Sequence, residues 1–137
     1  MLSTTIEMSN KLLESGLDPN TADMYWEYDY NEHTYNNVPR VLVVKNWDDE
    51  YNKNVPSWTL SALLELMPKL VSRGYEKSYP KVVRHNFTDK YFGHCLHYDT
   101  DMFDSPVEAA YDMTVWLLEH GMIQQNKVKI KYDSNKH

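Results

Sequence analysis

A chain of 137 residues suits a single domain with a core large enough to fold without a disulfide or a structural metal. Its one cysteine excludes an intrachain disulfide, and no stretch approaches the roughly 20 consecutive apolar residues that a membrane span needs. The formal net charge of −6 argues against sequence-independent binding of nucleic acid. The N-terminus lacks the basic and apolar regions of a signal peptide, which favours a cytoplasmic location.

The first elements in chain order are a helix and a pair of strands. The spacing of apolar residues predicts a helix over residues 4–15, and Gly16 stands where a helix commonly ends in the left-handed conformation. Residues 24–30 alternate in side-chain type and predict a strand, whose return strand is the apolar run over residues 40–45. Residues 46–54 follow as a polar, acidic loop.

A second helix is predicted to follow the acidic loop. Ser57 is placed to cap it at residues 58–67, where apolar residues recur at the helical spacing. Pro68 ends or kinks this helix because proline lacks a backbone N–H, and a short helical extension is expected to reach Arg73.

The remaining elements are a second strand pair and a final helix. Residues 79–85 and 90–98 predict the two strands, and the capping box Ser105-Pro106-Val107-Glu108 predicts where the helix begins. The order α-β-β-α-β-β-α predicts an α+β fold, an antiparallel sheet with helices packed on it, in a single domain of residues 1–126. Residues 127–137 form a basic C-terminal tail, which is either an edge strand or disordered until something pairs with it.

The distribution of charge and aromatic residues predicts a binding surface. Residues 18–50 hold eight acids against two bases, residues 99–119 hold six acids and no base, and residues 67–90 hold six bases against two acids. Eleven tyrosines and four tryptophans are too many for so small a core, and these residue types supply interface anchors at low entropic cost. An acidic, aromatic surface predicts a host protein with a basic patch as partner, and homo-oligomerisation stays open.

Four aromatic residues are predicted to form the partner surface: Trp47, Tyr51, Tyr25 and Tyr28. Trp47 is the strongest candidate because it follows the apolar strand, precedes three acids and lies in a loop too polar to cover it. The alternative for Trp47 is that it folds over the edge of the sheet. The alternative for the aromatic strand is core packing beneath a helix, because base-stacking sheets carry basic residues where this strand has Glu27.

One motif resembles a chemical site, the run His94-Cys95-Leu96-His97. On a strand, His94 and His97 point to opposite faces and cannot share a metal ion. Cys95, His97 and Asp99 share a face, but alternate residues of a strand lie about 7 Å apart, too far for a thiol–imidazole hydrogen bond. We therefore predict no catalytic residue, no metal ligand and no cofactor, with Cys95 as a structural thiol.

A further pattern joins five stretches: an N-terminal helix with its stop, an aromatic strand, a helix start led by proline, and both ends of the last helix. They are residues 4–18, 25–28, 55–60, 105–110 and 116–121. Over most of the chain, this pattern resembles small uncharacterised proteins from bacteriophages and mobile elements of gut Bacteroidetes. The resemblance implies a mobile-element protein in a bacterial cytoplasm, and it transfers no activity and no residue role.

Three functions are open on the sequence. The leading hypothesis is a small non-enzymatic protein-binding domain of phage or mobile-element origin, in contact with a host factor. The second is an accessory protein that binds a nucleotide or nucleic acid on its sheet or on the basic segment of residues 67–90. The third is a cysteine-dependent enzyme, which rests only on the shared face of Cys95 and His97.

Overall fold

In the part of the chain that the structure describes, three α-helices and small antiparallel sheets make up the fold, so the α+β class is confirmed. A computed structural model describes residues 1–31, 36–44 and 55–123. Where the sequence predicts one sheet, the described part of the chain forms three small ones. The helices are α1 (Ile6–Glu14), α2 (Leu60–Leu66) and α3 (Pro106–Glu119).

A threonine hydroxyl caps each of the first two helices. The Thr5 hydroxyl accepts a hydrogen bond from the N–H of Met8, 3.2 Å away, and α1 is shorter at both ends than the predicted helix. The Thr59 hydroxyl caps α2, so the prediction that Ser57 does so is wrong. Ser57 cannot serve because it ends a short strand and its hydroxyl is buried among polar groups of the N-terminus.

The third helix begins as the sequence predicts, with Ser105 as its N-cap and Pro106 in its first turn. The Ser105 hydroxyl accepts from the N–H of Val107 at 3.2 Å. The end of α2 also follows local chemistry, since the residue before a proline avoids the helical conformation. Met67, before Pro68, accordingly has φ −72° and ψ 135°.

The first sheet has the strand order β2-β1-β3. β1 (Met24–Asn31) pairs antiparallel with β2 (Asn36–Val44). β2 begins earlier than the predicted residues 40–45, because an edge strand tolerates Pro39, which cannot donate a hydrogen bond to a neighbouring strand. On the other side of β1 lies β3 (Val55–Ser57), a strand that the sequence does not predict.

The second sheet is a hairpin of β4 (Val71–Arg73) and β5 (Glu76–Ser78). The predicted helical extension as far as Arg73 is therefore wrong. Gly74 occupies the first position of the two-residue turn with φ +64°, a backbone conformation that glycine adopts without steric cost. Tight pairing on both sides of this turn leaves no residues for a helix.

The third sheet has the order β6-β7-β8, with β6 (Lys81–Arg84), β7 (Tyr91–Cys95) and β8 (Tyr98–Asp99). The single strand predicted over residues 90–98 is broken at Leu96, where φ is +56° and the chain turns back. This conformation costs a residue other than glycine about 1–2 kcal/mol, so a leucine gives no sequence signal for the turn.

The core lies where α3 packs against β6, β7 and the other two helices. Gly93 of β7 is so close to α3 that a Cβ atom there would lie 2.9 Å from the Cβ of Met113. Buried core residues run from Leu12 in α1 to Ile123 after α3. The domain end predicted at residue 126 and the tail of residues 127–137 lie outside the described residues.

A buried network of hydroxyl groups joins the N-terminus to the chain before α2. The Thr4 hydroxyl lies 2.8 Å from that of Ser9 and accepts from the N–H of Trp58 at 3.0 Å. The Ser57 hydroxyl donates to the Thr4 carbonyl oxygen at 2.7 Å. Trp58 itself is fully buried, and its indole N–H donates to the Thr21 hydroxyl at 2.9 Å. Buried hydrogen bonds therefore account for three polar residues, Thr4, Ser9 and Ser57, in two of the stretches that carry the resemblance.

Candidate functional site: an acidic aromatic surface

Of the four aromatic residues predicted to form a partner surface, the structure describes one side chain. Trp47 and Tyr51 lie outside the described residues, and Tyr28 is described only in its backbone, in β1. Tyr25 is half-buried in the same strand. Its neighbour Trp26 donates its indole N–H to a backbone carbonyl of the N-terminal segment at 3.1 Å, so the Trp26 side chain packs towards that segment.

A stack of three rings stands at the C-terminal end of α3. The Trp116 ring stacks on those of Tyr98 and His120, with centroid distances of 4.6 and 4.5 Å and interplanar angles of 3° and 29°. On the same helix, Met113 and Leu117 are fully buried. Trp116 is only half-buried at the edge of the core, where it stacks on the half-buried Tyr98 and on the exposed His120.

Carboxylates cluster beside this stack. Asp112 is half-buried on α3, and burial raises the pKa of its carboxyl group, which the charges of Asp101 and Glu119 raise further. Burial also raises the pKa of the Tyr98 hydroxyl, with smaller contributions from the same three carboxylates. We call Asp101, Asp112, Glu119, Tyr98 and Trp116 the acidic aromatic surface.

Glu14 on α1 adds to the negative field of this surface, and the neutral Tyr111 hydroxyl lies within that field. Burial raises the pKa of the Tyr111 hydroxyl first, and Asp112, Glu119 and Glu14 raise it further. Lys11 contributes one cation, with its Nζ 3.8 Å from a carboxylate oxygen of Glu119. Both partners of this ion pair are about half exposed, so the pair offsets little of the negative charge.

The sequence predicts an acidic face on α3, but it does not predict which residues from other elements join that face. Asp112, Trp116 and Glu119 are spaced i, i+4 and i+7, which places them on one face of a helix. Six acids without a base over residues 99–119 predict an acidic face. Tyr98 joins that face because β8 folds back on β7, which packs against α3.

Cys95 and the residues after it do not form the predicted shared face. The strand ends at Cys95, and His97 lies exposed in the following turn, so the alternation expected for Cys95, His97 and Asp99 is lost. Cys95 is fully buried, and burial raises the pKa of its thiol, opposed by a hydrogen bond with Ser78. A thiol in such a place is a poor nucleophile.

The two histidines of this motif pair with different carboxylates. His94 Nδ1 lies 2.5 Å from a carboxylate oxygen of Asp99, directly across the β7–β8 pair. His97 Nε2 lies 2.8 Å from Oε1 of Glu76 in β5. Within the described ranges, no group of three or more histidine, cysteine, aspartate or glutamate residues is placed to hold a metal ion.

Comparison with known proteins identifies no relative: no protein-family model, no curated protein and no solved structure matches this chain. The resemblance to phage and mobile-element proteins therefore stays a prediction. Across residues 1–31, 36–44 and 55–123, no helix is both long enough and apolar enough to cross a bilayer.

Proposed function

We propose that this chain is a small non-enzymatic protein-binding domain of phage or mobile-element origin. It acts in the bacterial cytoplasm by contact with a basic patch on a host protein, and the acidic aromatic surface is the region of contact. The observation that carries this proposal is the half-buried Asp112 carboxylate, held beside Asp101 and Glu119 at the edge of a ring stack.

Holding these carboxylates together lowers the stability of the free protein. Burial takes water from Asp112, and neighbouring carboxylates repel its charge, so both effects favour the neutral form of the group. A cation from a partner would oppose both effects, because charge-assisted hydrogen bonds are stronger in a partly desolvated site. The surface is therefore better matched to a positively charged ligand than to water.

The stacked rings favour arginine over lysine as the cation that a partner would place on this surface. An arginine guanidinium is planar and always charged, stacks on aromatic faces and pairs with carboxylates through two parallel hydrogen bonds. Tyr98 and Trp116 present stacked rings beside Asp112. A partner segment that carries arginine fits this surface better than one that carries lysine alone.

The alternative of a cysteine-dependent enzyme has weaker support. The nucleophile in such enzymes is a thiolate, and a raised pKa keeps the buried Cys95 thiol protonated at neutral pH. His97, the residue that would act as its base, is engaged with Glu76 instead.

A comparison of three tagged, full-length chains tests the proposal. They are the wild type, Asp112→Asn/Glu119→Gln, and the matched control Glu7→Gln/Glu65→Gln, which removes two exposed acids from other helix faces. Each chain is used to capture proteins from a nuclease-treated bacterial host lysate, followed by mass spectrometry. We expect a basic protein to be captured by the wild type and the control and lost with the surface variant.

Affinity measured with the captured protein completes this test. Isothermal titration calorimetry should show binding weakened at least about tenfold by Asp112→Asn/Glu119→Gln, and weakened by added salt. A partner that binds all three chains equally would contradict the assignment of this surface. Nuclease treatment excludes capture through bridging nucleic acid.

A further inference from the structure

Three aromatic rings stand in solvent on the hairpins that follow α2. Tyr75 in the β4–β5 turn and Phe87 in the β6–β7 loop have relative exposures of 105% and 93%, and Tyr79, between the hairpins, is 58% exposed. Aromatic side chains are usually much more buried, because each can remove about 150–250 Å² from water. Since none of these rings is buried in the core, packing does not explain their presence.

Basic residues surround these rings. Residues 67–90 hold six bases and two acids, and both acids are already paired, Glu76 with His97 and Asp89 with Arg84. Lys90 lies 3.9 Å from a carboxylate oxygen in the loop before α3. With Arg84 and Lys90 subtracted from six, four bases form no ion pair with any residue that the structure describes: Lys69, Arg73, Lys77 and Lys81.

Two contacts hold the hairpins together as one surface. The pair between Glu76 and His97, 2.8 Å from Oε1 to Nε2, connects β5 to the β7–β8 turn. A hydrogen bond between Ser78 and Cys95 connects the end of β5 to the end of β7. The β4–β5 hairpin therefore has a defined position beside the third sheet.

Rings and cations alternate along this surface. Lys81 Nζ lies 5.4 Å from the centroid of the Tyr79 ring. The strand β6 (Lys81–Arg84) then leads from this ring to the Phe87 loop, over about 13 Å at ~3.3 Å per residue. Tyr75 stands at the tip of the other hairpin, next to the unpaired Arg73 and Lys77 in the strands on either side of its turn.

We propose that the hairpins β4–β5 and β6–β7 bind single-stranded nucleic acid. Bases stack on Tyr75, Tyr79 and Phe87, and the neighbouring lysine and arginine residues contact phosphates. The strand must be unpaired, because stacking on a side chain needs a free base face, which a duplex does not offer. Every base has such a face, so binding is independent of sequence. This function uses none of the residues of the acidic aromatic surface.

The net charge of −6 does not oppose binding at this position. Exposed charges more than about 10 Å apart are largely screened at 0.1 M salt, so the charge near the ligand decides. Residues 67–90 carry six bases and two acids, and with Asp104, which lies 3.9 Å from Lys90, the local excess is three positive charges. The acids elsewhere limit the site to a short segment of nucleic acid, because a longer polyanion would meet them.

Fluorescence anisotropy of a labelled, mixed-sequence single-stranded oligonucleotide of about 15 nucleotides tests this proposal with the full chain. We expect a dissociation constant of about 1–100 µM at physiological salt, and tighter binding at low salt. Tyr75→Ala/Phe87→Ala should bind at least about tenfold more weakly, because two stacking platforms are lost. Tyr75→Phe keeps its ring and should retain the affinity. The three side chains are exposed, and thermal melting checks that each variant is folded.

A charge comparison forms the second part of this experiment. For single strands, the slope of log K against log salt changes by about 0.7 for each phosphate contact. Lys77→Gln should therefore make the slope shallower by about 0.7, whereas Lys11→Gln, which removes the same charge beside the acidic surface, should leave it unchanged.

Several outcomes would overturn the proposal. Absence of binding to single-stranded DNA and RNA at low salt is one, and binding that Tyr75→Ala/Phe87→Ala leaves unchanged is another. If the protein bound a duplex as tightly as a single strand, base stacking on these rings could not explain the binding. Equal affinity for labelled polyglutamate would assign the surface to an acidic protein. Asp112→Asn/Glu119→Gln should keep full affinity for the oligonucleotide, so failure of one proposal is distinguishable from failure of the other.

Discussion

Among single residues, two glycines occupy positions that exclude other side chains for different reasons. At Gly93, a Cβ atom would lie 2.9 Å from the Cβ of Met113 and 3.1 Å from Cγ2 of Thr100. At Gly74, a Cβ atom would meet nothing within 4 Å, but φ is +64°. Core packing restricts the residue at position 93, whereas backbone conformation restricts the residue at position 74. A glycine in the sequence does not by itself show which of these two causes applies.

Substitutions at these glycines should separate the two causes. Gly93→Ala is expected to lower the free energy of unfolding by about 1–3 kcal/mol, because the core must shift to admit a methyl group. Gly74→Ala should lower it by about 1–2 kcal/mol through the left-handed backbone alone. Asparagine adopts that conformation more readily, so Gly74→Asn should recover part of the loss, whereas Gly93→Asn should be worse than alanine. Urea denaturation measures all four variants, and an asparagine that is worse than alanine at both positions would contradict this account.

Asp112 should make the stability depend on pH. Its pKa is raised above the ordinary value of 3.8 in the folded protein, so the folded state holds the proton more tightly than the unfolded state. Stability therefore falls as the pH rises from about 3.8 through the folded pKa, and the loss is complete above it. Asp112→Asn should raise the free energy of unfolding at pH 7 by about 0.5 kcal/mol, the size of a partly screened charge interaction.

Thermal melting at two pH values checks this effect of Asp112. The advantage of Asp112→Asn should vanish near pH 3, where the wild-type carboxyl group is protonated in both states. Glu65→Gln, at an exposed position on α2, is the control and should change the melting temperature little at either pH. An advantage of Asp112→Asn that persists at low pH would point to packing and not to charge.

Among the secondary-structure elements, those defined by neighbours along the chain are predicted better than those defined by pairing. Ser105 and Pro106 locate the start of α3, and Pro68 locates the end of α2. The β4–β5 hairpin and the break at Leu96 escape prediction, because both depend on partners across a turn. The strand β3 pairs with a segment about 30 residues away in sequence, and three residues carry no periodic signal.

Two tryptophans should differ in their contribution to stability because their elements bury them differently. Trp58→Ala should lower the free energy of unfolding by about 3–5 kcal/mol, since the ring is fully buried and bonded to Thr21. Trp116→Ala should lower it by about 1–2 kcal/mol, because the ring is half-buried and gains mainly from its stack with Tyr98. Chemical denaturation measures both, with Trp58→Phe as a control that keeps an aromatic ring but loses the hydrogen bond to Thr21. Equal losses for the two alanine variants would show that Trp116 belongs to the core.

Across the whole molecule, charge is divided between two surfaces with different aromatic residues. The acidic aromatic surface is formed mainly by α3 and β8. The exposed rings with basic neighbours lie on the two hairpins that precede α3 in the chain. The two proposals therefore concern separate parts of one small domain. A protein that binds both a basic protein and single-stranded nucleic acid would bring the two together.

Trp47 lies outside the described residues, so its role as an anchor stays a prediction. Trp47→Ala should weaken the partner complex by about 2 kcal/mol or more while leaving the melting temperature nearly unchanged. Calorimetric titration of the captured partner and a thermal melt of the variant measure the two effects. If the variant unfolds instead, Trp47 is a core residue and this hypothesis fails.

The sequence by itself determines the fold class, the start of α3 and the uneven distribution of charge. Helical spacing, caps and proline act between residues a few positions apart, so their effects can be recognised without knowing the fold. The acids of residues 99–119 and the bases of residues 67–90 are likewise visible as composition.

Only the tertiary structure decides which of these residues meet and which rings reach solvent. Tyr98 and Asp101 join Asp112 because β8 folds back beneath the end of a helix that begins later in the chain. Tyr75 is exposed because it lies at the tip of the β4–β5 hairpin, whose first strand forms where the sequence predicts a helical extension as far as Arg73. Strand pairing and core packing are stabilised by contacts between residues far apart in sequence, and a local pattern carries no information about those partners.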